Sequence, residues 1–357
     1  MKDIFEKINL AMENSGYFTL QSKADFQLLG EGAWHKAYLV HLPGNHPLVV
    51  RFPKKHAYGN PVPFNQQEML AEYSGNGLYY RLANAVIPGI CPKEYDYHVA
   101  PEFTYTIESY MGQPIDLAAT DTSAGKEYGV QLGDFFRKMD NMKHNLEGFG
   151  PLTWYCGELK GEYKGDPQKF MIDEKDEFLS MLEHLQDSTL SFDYTAIQEK
   201  MLHCLDSRSL SSLSLTNQDT SPENLIIRDG RIHIIDSRPV LYSGFVFAGN
   251  HVNNYRTLFP TYDAAPRYQR HQFYKHKAVL HAMADGFEEG YTGGLFERKK
   301  ALRNEQFLQL FSLCYHNYEV LQKEISRETY LRMGNKQAIE SRLPIYLREL
   351  EAFNLLA

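Results

Sequence analysis

The residues best suited to chemistry lie in one stretch, LTNQDTSPENLIIRDGRIHIIDSRP, from Leu215 to Pro239. Asp219 precedes Asn224 on a polar loop, two apolar runs follow, and Asp236 ends the second run. Leu225 to Ile227 and Ile232 to Ile235 read as strands, and the RDGR turn between them holds the Asp-Gly pair that tight hairpins favour, because glycine tolerates positive φ. Closing that hairpin brings Asn224 beside Asp236. An amide and a carboxylate converging on one spot are oxygen ligands suited to Mg2+, which takes few protein oxygens and completes its shell with water and substrate phosphates. Asp219, on the loop leading in, is placed to accept or orient the proton of an attacking hydroxyl. The competing reading is structural: Ser221, Pro222 and Glu223 begin a helical turn, and Asp219 is solvated.

A second group of candidates stands nearer the N-terminus. GEGAWHKAY puts Gly30 and Gly32 between strand-like runs, where backbone N–H groups can approach phosphate oxygens closely. A plain hairpin turn accounts for them equally well. LVVRFPKK sets Arg51 in an apolar strand, an unusual place for a cation unless it faces a pocket or an acid; the alternative is an edge strand with the charge in water. Glu68 and Glu72 lie four apart on one face of a helix-forming stretch, so either can pair with Arg51 or simply face solvent. Lys36 reads as a solvated turn lysine or as an extra phosphate contact.

Two kinds of texture position these residues. Short apolar or β-branched runs, Phe26 to Leu29, Ala37 to Val40, Leu48 to Phe52, Tyr95 to His98 and Phe103 to Tyr110, predict a small sheet. A helix over Asn65 to Leu82 interrupts them, with Gly75 and Gly77 as weak points. After MGQPID, Met111 to Asp116, helical patterns take over in GVQLGDFFRKMDNM, FLSMLEHL and YTAIQEKMLHCL. Beyond Asp236 no clear strand is expected, and Gln272 to Glu289 and Asn304 to Glu324 read as helices.

This order of parts resembles the protein-kinase-like fold in its small-molecule branch, the aminoglycoside phosphotransferase and choline kinase superfamily. NQDTSPEN and IIDSR occupy the places of that family's catalytic loop and metal-binding Asp, and the resemblance runs from about residue 26 to 240. It implies an α+β, bilobal protein-kinase-like fold, with a small N-terminal antiparallel sheet plus helix in residues 1–113 and a larger, mainly helical lobe in 114–357 that binds the acceptor. It further implies Asp219 as the catalytic base, Asn224 and Asp236 as Mg2+ ligands, and Arg51 as the phosphate-holding cation. Glu72 would be the likelier helix partner of Arg51, with Glu68 in reserve. TIESYMGQPID looks like the inter-lobe hinge, whose backbone around Glu108, Tyr110 and Met111 would bind the purine of ATP or GTP. EGFGPL, Glu147 to Leu152, is similar to a segment of hygromycin- and macrolide-type antibiotic kinases. Asn217 stands where the family has His, and Ser237 and Arg238 replace the aromatic after the metal-binding Asp.

The totals agree with an enzyme of this kind. A chain of 357 residues exceeds what one core usually holds. A formal charge of −8 without a basic stripe argues against a nucleic-acid partner. Cys91, Cys156, Cys204 and Cys314 are scattered, which fits a reducing, cytoplasmic setting better than a zinc or disulfide framework. No run has the length of a membrane span. The expected activity is transfer of a γ-phosphate to a hydroxyl of a small molecule. The aromatic-rich segment HVNNYRTLFPTYDAAPRYQRHQFY is either an acceptor site or core packing, and Asp263, Asp285, Glu288 and Glu289 would suit an aminoglycoside-like polycation. The alternatives are a same-fold enzyme acting on a protein or transferring a nucleotide, and a nucleotide-binding regulatory protein with weak catalysis. The oligomeric state stays open.

Overall fold

The short runs of the N-terminal third form one antiparallel sheet. In the computed structural model, which describes residues 3–42, 44, 46–210 and 212–356, its strands are β1 (Phe26–Glu31), β2 (His35–Val40), β3 (Leu48–Pro53), β4 (Tyr95–Val99) and β5 (Thr104–Ser109). Their spatial order is β1-β2-β3-β5-β4. The register sorts side chains strictly between two faces. Val50 stands opposite Tyr38 and Ile107, and its neighbour Arg51 stands opposite Ala37 and Thr106. The face of Val50 is apolar and packs Val40, Leu48, Tyr105 and Ile107 against Ile8, Ala11 and Met12 of helix α1 (Ile4–Asn14). A capping box between Asp3 and Glu6 starts that helix.

The face of Arg51 is polar, and helix α2 (Gln66–Val86) lies against it, with Asn65 capping its N-terminus. Tyr80 packs edge-on to Tyr95, ring centroids 5.2 Å apart, and Ser74 Oγ lies 2.8 Å from the Tyr97 hydroxyl. Contrary to expectation, α2 runs unbroken through Gly75 and Gly77. The two glycines serve packing: a Cβ on Gly75 would come within 3.1 Å of Leu152, and one on Gly77 within 3.2 Å of Tyr95.

The hairpin of the opening motif forms as expected, with β6 (Leu225–Arg228) paired to β7 (Arg231–Ile234). Asp229 and Gly230 both have positive φ, 53° and 69°, as a two-residue turn matched to strand twist requires. The hairpin is tied down by the Ile234 N–H donating to Ile90 O at 2.7 Å and by a bridge between Pro114 and Ile226. One compact unit therefore comprises Met1–Pro114, Pro151–Glu162 and Asp219–Pro239; a second comprises Ile115–Gly150, Tyr163–Gln218 and Val240–Ala357.

The second unit is mainly helical. Its helices include Thr122–Met139, Pro167–Gln186, Tyr194–Asp206, Gly244–Asn253, Lys277–Thr292, Phe296–Leu321 and Lys336–Glu351. The expected helix from Gln272 begins at Lys277 instead, because Gln272 takes a left-handed conformation (φ 49°). The expected absence of a strand after Asp236 is also corrected. Pro239–Tyr242 is a strand, buried along its whole length, so no polar alternation marks it in the sequence. Among the described residues all four cysteines are free and no helix is long and apolar enough to cross a membrane.

Helices Thr122–Met139 and Lys277–Thr292 touch backbone to backbone. Gly129 and Gly133 face the carbonyls of Met283 and Phe287, and Gly286 and Gly290 face those of Lys126 and Val130, so a Cβ at any of these positions would collide with main chain. Backbone cannot rotate aside as a side chain does. Gly129→Ala should therefore force the helices apart and cost about 3 kcal/mol or more, beyond the usual overpacking penalty. Thermal and denaturant unfolding measure this, and a melting temperature within a degree of the parent's would refute the close packing.

Candidate functional site

Arg51 is the centre of the polar face. Its Nη2 pairs with Glu108 Oε1 at 2.5 Å and its Nη1 with Asp236 Oδ1 at 2.7 Å. The two arms differ in setting: the Glu108 side chain is 4% exposed and that of Asp236 is 55% exposed. Burial works against the charge of Arg51, but Glu108 and Asp236 outweigh it and hold the guanidinium firmly protonated. Burial pushes the Glu108 carboxyl upward, and Arg51 with the Tyr80 hydroxyl pulls it part of the way back.

This pairing corrects the expectation that Arg51 meets Glu72 or Glu68. Arg51 and Glu108 sit on adjacent strands of the same sheet and on the same face, since Arg51 is opposite Thr106 and Glu108 is two residues further along β5. Reaching the helix would take Arg51 past this nearer acid. Glu72 remains in the neighbourhood. Crowding by protein raises its pKa, Asp236 adds to the rise, and Arg238 and Arg51 oppose it; water still reaches its side chain, which tempers the shift. Glu68 is exposed in the first turn of α2, where the helix N-terminus favours an acid.

The structural reading of the Asp219 loop is seen in its helical turn. Pro222–Asn224 does form a helical turn, and Asp219 Oδ1 accepts the Ser221 N–H at 3.3 Å. Asn224 is buried, and its carbonyl accepts the Ile235 N–H at 3.0 Å. That bond holds Asn224 and Asp236 at the same end of the hairpin. Asp236 has φ 52°, a left-handed conformation that Asp tolerates better than most residues. Its N–H donates to the Tyr80 hydroxyl at 2.9 Å, and the next residue, Ser237, donates from Oγ to Asn76 Oδ1 at 2.9 Å.

The donor set can be tested against a metal. Among the described residues no three His, Cys, Asp or Glu side chains gather as a metal site would need. Asn224 and Asp236 offer instead one amide and one largely exposed carboxylate. Such a sparse, all-oxygen pair fits Mg2+ shared with phosphates and does not fit zinc.

The remaining candidates are placed as follows. Gly32 closes the β1-β2 turn by donating to His35 O at 2.9 Å. A Cβ on Gly30 would meet nothing within 4 Å, and one on Gly32 only His35 O at 3.8 Å, so internal packing does not demand either glycine. Lys36 is paired with Glu31 at 3.2 Å, as Lys54 is at 2.7 Å. Tyr110 donates its N–H to Pro47 O at 3.0 Å, which takes that donor away from a purine. Glu108 lies inside the ladder, opposite Val49 and Tyr95, so its contribution to the site is its side chain rather than the hinge backbone.

Two residues enter that sequence reasoning missed. Tyr80 accepts from the Asp236 amide. His35 lies 2.8 Å from the Tyr73 hydroxyl, with burial and the Arg51 charge pushing its pKa down to about 4, so it is neutral. Counting by twos from Arg51 along the strands would have found His35 and Glu108; Tyr80, eight residues after Glu72 on α2, follows from helical spacing.

A small antiparallel sheet backed by one helix and faced by another, with a polar hairpin joined to it and a helical remainder, is the protein-kinase-like fold as small-molecule phosphotransferases carry it. Solved structures with this fold include a thermostable mutant of aminoglycoside phosphotransferase APH(4)-Ia in ternary complex with ADP and hygromycin B, 15% identical, with a TM-score of 0.57 over 97% of this chain and 98% of that one. Aminoglycoside phosphotransferase APH(2'')-Ib, bound to ADP, is 13% identical, with a TM-score of 0.54 over 98% of this chain and 99% of that one. Amicoumacin kinase hAmiN, in complex with AMP-PNP and Ca2+, is 12% identical, with a TM-score of 0.50 over 96% of this chain and 92% of that one. No protein-family model and no curated protein matches the chain by sequence.

Tyr80 gives this geometry a test. Tyr80→Phe keeps the ring against Tyr95 but deprives the Asp236 amide of its acceptor, a loss of about 1–3 kcal/mol for a buried group. Urea unfolding should record that loss, and a variant as stable as the parent would show that the hydroxyl does not hold Asp236.

Proposed function

We propose that the chain is an ATP-dependent phosphotransferase that requires Mg2+ and moves the γ-phosphate to a hydroxyl of a small molecule. What supports the reading most is one end of the hairpin: the Asn224 carbonyl bonded to Ile235, the residue before Asp236, Arg51 paired with Asp236, and Asp219 on the loop leading in. Adenine nucleotides or their analogue are bound in the neighbouring structures, which favours ATP. In two of those of APH(4)-Ia an Asp and an Asn have been replaced by Ala, residue types this chain offers in Asp219 and Asn224.

Each residue then has a task. Arg51 holds phosphate oxygens, and the space beside Gly30 and Gly32, where a side chain would meet almost nothing, lets a phosphate approach the backbone of the turn closely. Asn224 and Asp236 would hold Mg2+, which supplies charge neutralisation at the phosphates when bound. Asp219 orients the acceptor hydroxyl and takes its proton. A bond forms between the acceptor oxygen and the γ-phosphorus as the bond to the β,γ-bridging oxygen breaks, and ADP leaves. Residues 1–113, with the hairpin, bind the nucleotide; residues 114–357 supply the acceptor site.

Charges in the second unit bear on the acceptor class. Asp285 pairs with Arg256 at 2.6 Å, Glu288 with Lys299 at 3.1 Å, and Glu289 with Lys126 at 2.9 Å. Three of the four acids expected to greet a polycation are thus matched by the chain's own cations. The aromatics Tyr255, Phe259, Tyr262 and Phe273 are buried, Tyr255 edge-on to Phe259 and Phe259 tilted against Phe273, as core packing requires. Both facts favour a neutral or singly charged acceptor over a highly cationic aminoglycoside. Release of ADP across hydroxylated amines, antibiotics and sugars identifies it.

Two substitutions test the assignment of roles. Asp236→Asn keeps the left-handed backbone and removes the charged ligand, so MgATP affinity measured by calorimetry should fall by about tenfold or more. Asp219→Asn should bind MgATP as the parent does, while turnover drops on the order of 10²–10⁴-fold, the usual share of a general base. Unchanged affinity in the first and unchanged ADP release in the second would return the hairpin to a purely structural role. A parent that binds ATP but releases no ADP with any acceptor would make it a nucleotide-binding protein instead.

A further inference from the structure

In the site just assigned, the cation that holds phosphate has two acidic partners of opposite character. Glu108 comes from the interior of the sheet, opposite Val49 and Tyr95, and is nearly sealed from water. Asp236 comes from the hairpin and stands more than half exposed. An ion pair closed off from solvent is costly to break, because the abandoned charge stays buried, whereas an exposed carboxylate exchanges partners cheaply with water and ions. The third donor of Arg51, Nε, is buried without a partner, so the side chain is held by its two Nη arms alone.

We propose that Glu108 is the positioning residue of Arg51: the Glu108 arm is permanent, and the Asp236 arm is the one given up when nucleotide and metal bind. The inference rests on the phosphotransferase reading for its purpose and on geometry for its substance. Its consequence is that the sheet itself orients the phosphate-holding cation. Glu72, on the helix, is left free of that duty, and the placement of Arg51 does not depend on how α2 sits. The single buried pair does what a strand-to-helix contact would otherwise do.

The test observes Arg51 directly. In protein labelled with 13C,15N-arginine, the guanidinium signals of Arg51, assigned by their loss in Arg51→Lys, report whether the group rotates slowly or freely. In the parent they should show slow rotation with and without MgATP. Glu108→Gln should free the rotation and weaken MgATP binding on the order of 10- to 100-fold, as loss of a charge-assisted pair does. Glu108→Asp, which keeps the charge on a shorter arm, should lie between and serves if Glu108→Gln does not fold. Glu72→Gln should leave Arg51 in slow rotation. Free rotation in Glu72→Gln, or slow rotation unchanged in Glu108→Gln and Glu108→Asp, would overturn the proposal. A parent in which Arg51 is held by Glu108 but no nucleotide binds would sink the phosphotransferase reading while the anchor stands.

Discussion

The site depends on one buried cation. An arginine cannot shed its proton in a protein, so a strand that carries Arg51 inward must bring acids to meet it. The sheet answers with Glu108 and the hairpin with Asp236. The desolvation of Arg51 and Glu108 is a cost to stability that no apolar pair in their place would bear. Its return is placement: the guanidinium is fixed to a strand rather than to a loop, with one arm toward the hairpin that ends in Asp236.

Much of this was open to reading in the residues alone. The Asp-Gly turn, the flanking apolar runs and Asp236 at the end of the second run are local features, governed by backbone chemistry within a few positions, and the hairpin formed as that chemistry requires. The sheet strands were found for the same reason, with ends off by a residue or two. What failed was partner choice. Whether Arg51 meets Glu72 or Glu108 depends on which strand lies beside β3, and β5 enters between β3 and β4 from more than fifty residues away in the chain. Periodicity on a single strand carries no information about that neighbour.

A second failure came from reading glycine by propensity. Gly75 and Gly77 look like breaks in α2, yet both are places where another residue's side chain comes close to the helix backbone. Gly129, Gly133, Gly286 and Gly290 do the same in the second unit, on a larger scale, and let two long helices run in contact. An intrinsic cost of roughly 1 kcal/mol per helical glycine is accepted where the alternative is a collision with main chain. The aromatics of residues 251–274 teach the complementary lesson. Most rings that could have formed a recognition surface, Tyr255, Phe259, Tyr262 and Phe273, are spent on burial, the commoner use of an aromatic side chain, while Tyr274 stays exposed.

The chemical groups share one rigid support. Asp236 holds a backbone conformation that costs free energy unless neighbours enforce it, and the enforcing contact is the Tyr80 hydroxyl on its N–H. Tyr80 belongs to α2 and packs on Tyr95 of β4, which stands opposite Glu108 of β5. Glu108 in turn holds Arg51 of β3, which returns to Asp236. The loop of contacts closes on itself without leaving the first unit. Each member borders the next, so the strand's Arg is set by the sheet while the exposed Asp of the hairpin stands within its reach. Charge is thereby arranged in advance on the polar face, before any ligand arrives.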